Sequence, residues 1–173
     1  MIELPTKDQA KNCEVNNPTI IGKANEFAVP GDLVATAEKI YYFVRDNIAY
    51  ENYANTRKGA LRTLTEGKGN CCDQAHLLVA LLRAAKIPTY YCHGNQHWWA
   101  VPCIDKQYHC DPTNRKHNFG NPKLDSKHRN PQMFNSLNHW IVSWYKNMLG
   151  ITQKNIMLVW INYIVIKNQL TIL

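Results

Sequence analysis

Residues 71 to 85 constrain this chain more than any other stretch. Gly67, Gly69 and Asn70 break the backbone, and Ala75, Leu78, Val79, Leu82 and Ala85 then recur at helical spacing. Leu77, Ala80, Leu81 and Ala84 fill much of the opposite side. A helix that is apolar nearly all round belongs inside a domain, so the remaining elements must be arranged to cover it. Cys71 falls where the turn becomes the helix, beside backbone N–H groups that have no partner within the helix. A thiol there ionises more easily, and a developing oxyanion finds donors.

With 173 residues the chain is long enough for one domain with a real core. Hydrophobic residues make up 45% and charged residues 19%, which is a globular composition. The net charge of +7 favours polyanionic surroundings, but the basic residues are scattered and form no stripe interleaved with aromatics, so no nucleic-acid partner is expected. Six cysteines are present, at positions 13, 71, 72, 92, 103 and 110. Cys71 and Cys72 are adjacent, a geometry that rarely bridges. The first residues carry neither a basic nor an apolar signal region, so the expected location is cytoplasmic. No apolar run reaches the ~18 residues of a membrane span.

Along the chain, residues 1–29 read as a polar N-terminal arm. Asp32 is an N-cap after Pro30-Gly31, and Leu33, Ala37, Ile40, Val44 and Ile48 predict an amphipathic helix over 33–48. Residues 50–57 read as loop and Gly59–Leu64 as a short helix closed by Glu66-Gly67. Pro88 ends the central helix. Three β-prone runs follow, at 89–93, 97–101 and 107–110, and predict an antiparallel meander. Helices first and strands second make an α+β domain with a sheet packed on the buried helix. Residues 112–131 read as extended loop. The apolar runs within 138–149 and 156–166 suggest a docked element or a surface for self-association. The expected division is an N-terminal arm over 1–29, a catalytic core over 30–114, and a loop-rich basic segment with an apolar extension over 115–173.

Three short motifs stand at the ends of these elements: Gly69-Asn70-Cys71, His97-Trp98-Trp99 and Asp111-Pro112-Thr113. Together they offer a polarisable nucleophile, a base that takes and returns a proton, and a carboxylate that holds the imidazole. His93, four residues earlier, competes with His97 for the role of base. Tyr53 and Asn55 are candidates for a second oxyanion donor or a substrate contact. Of Trp98 and Trp99, one should face the core while the other either walls the cleft or simply packs. Asp73 and Gln74 favour the helix dipole, and Asp73 is also a candidate support for the site. Cys92, His93, His97, Cys103, His109 and Cys110 form a Cys/His set without the spacing of a zinc finger, so no metal is assigned.

Gly-x-Cys with Ala75 four residues after the cysteine, the apolar helix, Arg83-Ala84-Ala85-Lys86-Ile87-Pro88, His-x-Trp and Asp-Pro-Thr resemble the transglutaminase-like cysteine-hydrolase superfamily. Tyr53-Ala54-Asn55-Thr56-Arg57-Lys58-Gly59-Ala60, with the stretch from Gly69 to Leu78, is similar to the catalytic domains of archaeal pseudomurein endoisopeptidases of methanogens and their viruses. The resemblance covers roughly residues 33–114. It implies a papain-like α+β fold with Cys71 as nucleophile, His97 as base and Asp111 as carboxylate. It also implies cleavage of a peptide or isopeptide bond through a thioester, with an archaeal wall polymer as the most specific substrate. Relatives with the same triad transfer the acyl group to an amine, which leaves acyl transfer as an alternative. A non-catalytic, zinc-stabilised binding module is a second one. No cofactor is expected; calcium dependence is left open by the resemblance, but no acidic ligand loop is visible here.

Overall fold

In the computed structural model, residues 12–122 and 125–137 are described. In chain order they form α1 (Pro18–Asn25), α2 (Leu33–Asn47), β1 (Ala49–Tyr50), α3 (Gly59–Glu66), β2 (Lys68–Gly69), α4 (Cys71–Ala84), β3 (Thr89–His93), β4 (Trp98–Pro102), a 3₁₀ turn (Ser126–His128) and β5 (Gln132–Phe134). None of the described helices is long and apolar enough to cross a membrane.

The organising element is α4. Every residue from Cys72 to Ala84 is buried, because α1, α2 and α3 pack on it from one side and β3 and β4 from the other. Leu77, Leu78, Val79, Leu81 and Leu82 are fully covered, each worth about 1.5–3 kcal/mol of transfer free energy. Asn70 caps the helix by accepting the Asp73 N–H at 3.0 Å. At the other end the buried Arg83 donates to the carbonyls of Thr89 and Asn135, tying α4 to the start of β3 and to the segment after β5.

The second helix begins as its sequence predicts, with Asp32 accepting the Ala35 N–H at 2.8 Å, and α3 closes on Gly67 in the left-handed conformation at φ +66°. Residues 12–29 differ from the expected arm. They contain α1, which turns Ile20 and Ala24 into the core, and Cys13 is fully buried. Its start signal is present in the sequence: Pro18 opens the helix and Asn17 accepts the Thr19 N–H at 2.9 Å. Tyr50, expected in a loop, pairs in a two-residue parallel ladder, with Ala49 opposite Lys68 and Tyr50 opposite Gly69.

The three-stranded antiparallel sheet has the order β4-β3-β5. Its third named strand is therefore Gln132–Phe134, inside the part of the chain expected to follow the core, and not residues 107–110. Those residues run along the free edge of β4 as isolated bridges, with Cys110 N–H donating to the Ala100 carbonyl at 2.9 Å and Tyr108 N–H to the Pro102 carbonyl at 3.0 Å. Pro102 has no N–H to return, so the ladder cannot continue as a regular strand. The stretch 112–131, expected as loop throughout, includes the 3₁₀ turn over 126–128. The apolar runs within 138–149 and 156–166 lie outside the described residues.

Candidate active site

Cys71 is the first residue of α4, partly exposed at the end of an otherwise buried helix. The β1–β2 ladder sets the approach to it: Glu51 N–H donates to the Gly69 carbonyl at 3.1 Å. A Cβ on Gly69 would lie 3.0 Å from the Asp73 Cβ and 3.1 Å from Thr63 Cγ2, so close packing here suits glycine. The thiol has the Cys72 thiol beside it at Sγ–Sγ 4.0 Å, and the His97 side chain and the Trp98 backbone also favour its ionised form. The Cys72 contact, at Sγ–Sγ 4.0 Å, leads in lowering its pKa. Burial opposes the shift, and the His97 bond and charge reinforce it, leaving Cys71 at about 4. Cys72, one residue deeper, is pushed the other way by the same contact and by burial.

His97 lies in the turn just before β4, held by the bond from the Gly94 N–H to its carbonyl at 3.0 Å. Burial would lower its pKa, but hydrogen bonds to Asp111 and Cys71 outweigh that and raise it to about 9. Nε2 faces Asp111 Oδ2 at 2.8 Å. The other histidine considered as base, His93, is paired with Trp98 across the hairpin and packs its ring 4.5 Å from that indole. The bond to Asp111 belongs to His97.

Asp111 is 1% exposed. Burial would raise its pKa, yet hydrogen bonds from His117, His128 and His97 hold it well below the usual carboxylate range. Its Oδ1 accepts from the Thr113 N–H at 3.0 Å and the Thr113 hydroxyl at 2.8 Å. The Tyr41 hydroxyl, from α2, donates to its carbonyl at 3.1 Å. Helix, sheet edge and the Asp-Pro-Thr turn thus all hold this one residue, the helix through its backbone carbonyl.

The remaining sequence candidates are placed as follows. The Tyr53 hydroxyl donates to Asp73 Oδ2 at 2.5 Å and accepts the Asn70 N–H at 3.3 Å. Its proton is directed at a buried carboxylate. Asn55 enters the network through its carbonyl, which accepts from Asn70 Nδ2 at 2.8 Å, with its own backbone left-handed at φ +62°. Asp73 gathers the segment 53–59: besides Tyr53, it accepts the N–H groups of Arg57, Lys58 and Gly59. Trp98 and Trp99 are both buried, at 3% and 1% exposure, so neither indole walls an open cleft. Trp98 reaches the thiol through its backbone, while Trp99 stacks near His97, with ring centroids 6.0 Å apart.

Sequence reasoning missed His117, His128 and Tyr50. The two histidines sit in a stretch rich in Asn, Lys and His where nothing in the pattern sets them apart. Tyr50 stands opposite Gly69, 53% exposed, and its hydroxyl is pushed up by burial and then by the charges of Cys71, Cys72 and Asp111. It is therefore a polar group within electrostatic reach of the thiol. The Cys/His set considered for zinc does not gather. Cys92 and Cys103 pack with Trp99 and Val101, and His109 accepts the Trp99 indole N–H. Among the described residues, the group able to hold a metal is His97, Asp111 and His128, whose ligand atoms lie within 4.8 Å of one another.

An α+β domain with a thiol at the N-terminus of its central helix, and an imidazole bonded to a carboxylate beside the sheet edge, holds the groups that nucleophilic thiol chemistry uses. The family comparison agrees: the transglutaminase-like superfamily matches residues 23–142. The chain belongs to that superfamily. Among solved structures it is similar to a candidate cysteine protease from Cytophaga hutchinsonii, at 22% identity and a TM-score of 0.56, over 76% of this chain and 50% of that one. The chain therefore spans half the length of that structure, and at this identity the likeness concerns the fold. Among curated proteins none matches the sequence.

Proposed function

We propose that the protein is a cysteine hydrolase that cleaves amide bonds through a thioester, with Cys71 as nucleophile, His97 as general acid and base, and Asp111 as the carboxylate that holds His97. The observation that carries this reading is the His97 Nε2–Asp111 Oδ2 bond at 2.8 Å, with Cys71 at the start of α4 and His97 each favouring the other's charged form. Lowering the thiol to about 4 and raising the imidazole to about 9 makes the thiolate–imidazolium pair the resting form at neutral pH. The thiolate attacks the carbonyl carbon, His97 gives its proton to the leaving amine, and water, deprotonated by the same imidazole, releases the acid from the thioester. The backbone N–H groups at the start of α4 face the developing oxyanion. The resemblance of Tyr53–Ala60 and Gly69–Leu78 to pseudomurein endoisopeptidases makes an isopeptide bond to lysine the substrate to try first.

The test is the rate of Cys71 alkylation across pH, read by mass spectrometry, together with turnover of an isopeptide substrate. Reactivity should remain high between about pH 5 and 8 and fall to that of an ordinary thiol in His97→Ala. Cys71→Ala should abolish turnover without changing the circular dichroism spectrum. Turnover in Cys71→Ala, or an ordinary thiol profile in the wild type, would refute the assignment. Incorporation of an added amine in place of hydrolysis would redirect it to acyl transfer.

A further inference from the structure

Three imidazoles crowd one carboxylate oxygen, and the proposed chemistry uses only one of them. Asp111 Oδ2 lies 2.8 Å from His97 Nε2, 3.0 Å from His128 Nε2 and 3.1 Å from His117 Nδ1. The other oxygen already accepts twice from Thr113. A carboxylate offers about four lone-pair directions, so five donors oversubscribe it. His117 has a second acceptor, the Asp111 carbonyl, 3.2 Å from the same Nδ1. His117 is thus shared between two acceptors of Asp111, while His97 and His128 make the two shortest approaches to Oδ2.

His128 is also fixed from behind. Its Nδ1 lies 3.0 Å from Asp125 Oδ1, and Asp125 caps the 3₁₀ turn by accepting the Lys127 N–H at 2.8 Å. The turn is pinned to the β3–β4 hairpin, where the Asn95 N–H donates to the Lys127 carbonyl at 2.8 Å. The His128 side chain is 1% exposed. Its ring meets His97 edge-on at 5.4 Å and lies 5.0 Å from the Trp99 indole. The charged and titratable groups facing it are Asp111, Asp125, His97 and His117, with His109 beyond Trp99. A zinc ion held by these atoms would set them about 3.3 Å apart, the edge of a tetrahedron with bonds of ~2.0–2.1 Å. The observed 2.8 and 3.0 Å separations from Oδ2 are those of charge-assisted hydrogen bonds.

We propose that His128 is a positioning residue for the Cys71 chemistry: its Nε2–H bond pins Asp111 Oδ2 where His97 meets it, and Asp125 anchors the ring from the protein surface. This inference rests on the hydrolase reading and concerns how its carboxylate is held. It connects thiol to surface in the series Cys71–His97–Asp111–His128–Asp125, in which a residue from the stretch after the Asp-Pro-Thr turn controls the base.

Alkylation of Cys71 needs no substrate and so separates the two claims. At pH 5, His128→Ala should react about tenfold more slowly than wild type, because a carboxylate that shifts no longer supports the imidazolium. Above about pH 9, where any thiol ionises, the two rates should converge. Turnover should fall by a similar factor in kcat with KM unchanged. In His128→Gln the amide Nε2 occupies the place of the imidazole Nε2 and donates there, so both quantities should return toward wild type. Wild-type behaviour in His128→Ala, or failure of Gln to rescue, would overturn the role of His128 alone. An ordinary thiol profile in the wild type overturns the hydrolase reading and this one with it. If the Ala variant does not fold, Asp125→Ala carries the test on an exposed residue, with a loss of about threefold at pH 5 expected and wild-type reactivity overturning the role. One equivalent of zinc per chain in the purified wild type, absent from His128→Gln, would also overturn it, since Nε2 would then be spent on the ion.

Discussion

Cys71 and Cys72 are neighbours whose surroundings drive them apart. The outer thiol is lowered to about 4 by the Cys72 thiol first, and then by the His97 imidazole and the Trp98 backbone. The inner one is buried against its neighbour's charge and raised. Two identical side chains one residue apart therefore differ in chemistry because the helix turns one toward the cleft and the other into the core. Cys72 still matters to its neighbour, with the two sulfurs 4.0 Å apart. Cys72→Ala and His97→Ala should each slow alkylation of Cys71 at pH 5 by about tenfold or more, since each removes a group that lowers the thiol. Wild-type reactivity in His97→Ala, measured beside Cys72→Ala, would mean that the imidazole's charge is not what sustains the thiolate.

At the scale of elements, the site depends on contacts between segments far apart in sequence. The loop 53–59 is folded over the start of α4 by Asp73, and the 3₁₀ turn over 126–128 is packed onto the β3–β4 hairpin at Gly94. A Cβ on Gly94 would stand 2.3 Å from the Lys127 carbonyl oxygen and 3.0 Å from the Trp99 ring. Backbone is not a neighbour that moves aside cheaply. Gly94→Ala should therefore destabilise the fold by about 1–3 kcal/mol and, by pushing the turn away, displace His128 from Asp111. Gly22, inside α1, is the control, because a methyl group added there would meet nothing within 4 Å. At that position Ala should be neutral or stabilising by up to ~1 kcal/mol. Thermal melts of the two variants check this, and equal melting temperatures would contradict the packing described at Gly94.

For the whole molecule, the shifted pair couples stability to pH. Cys71 is lowered from 9.0 to about 4 and His97 raised from 6.5 to about 9. His97 contributes stability that is complete below pH 6.5 and lost as pH rises through about 9. Cys71 contributes stability that is complete above pH 9 and lost as pH falls toward about 4. Between about 6.5 and 9 the two trends cancel, since folded and unfolded chains each bind one proton at this pair. Below 6.5 the unfolded histidine takes a second proton while the folded pair does not, so stability falls on acidification down to about pH 4. Below that, Asp111, held under the usual carboxylate range, adds its own loss. The urea midpoint should therefore be lower at about pH 5 than at about pH 7.5, by a margin that shrinks in Cys71→Ala. A midpoint unchanged between the two pH values would argue against a buried thiolate–imidazolium pair.

What the sequence determined by itself was the set of elements whose signals are local. The all-round apolar helix after Asn70, the Asp32 cap, the Gly67 stop and the β-prone runs at 89–93 and 97–101 are set by spacing and backbone chemistry within a few residues. The candidates Cys71, His97 and Asp111 were legible because each sits at an element boundary within a short motif. Pairing across distance was decided only in the tertiary structure. Pro102 broke the expected strand at 107–110, and Gln132–Phe134 took the third place in the sheet, a choice made by hydrogen-bond partners far away in sequence, as in the Cys92–Met133 pairing. The Tyr53 proton is directed at Asp73 only in the folded chain. His117 and His128 carry no local mark, because an imidazole's role depends on which acceptor it meets. That acceptor, the single oxygen of Asp111, is reached only when helix, hairpin and turn close around it.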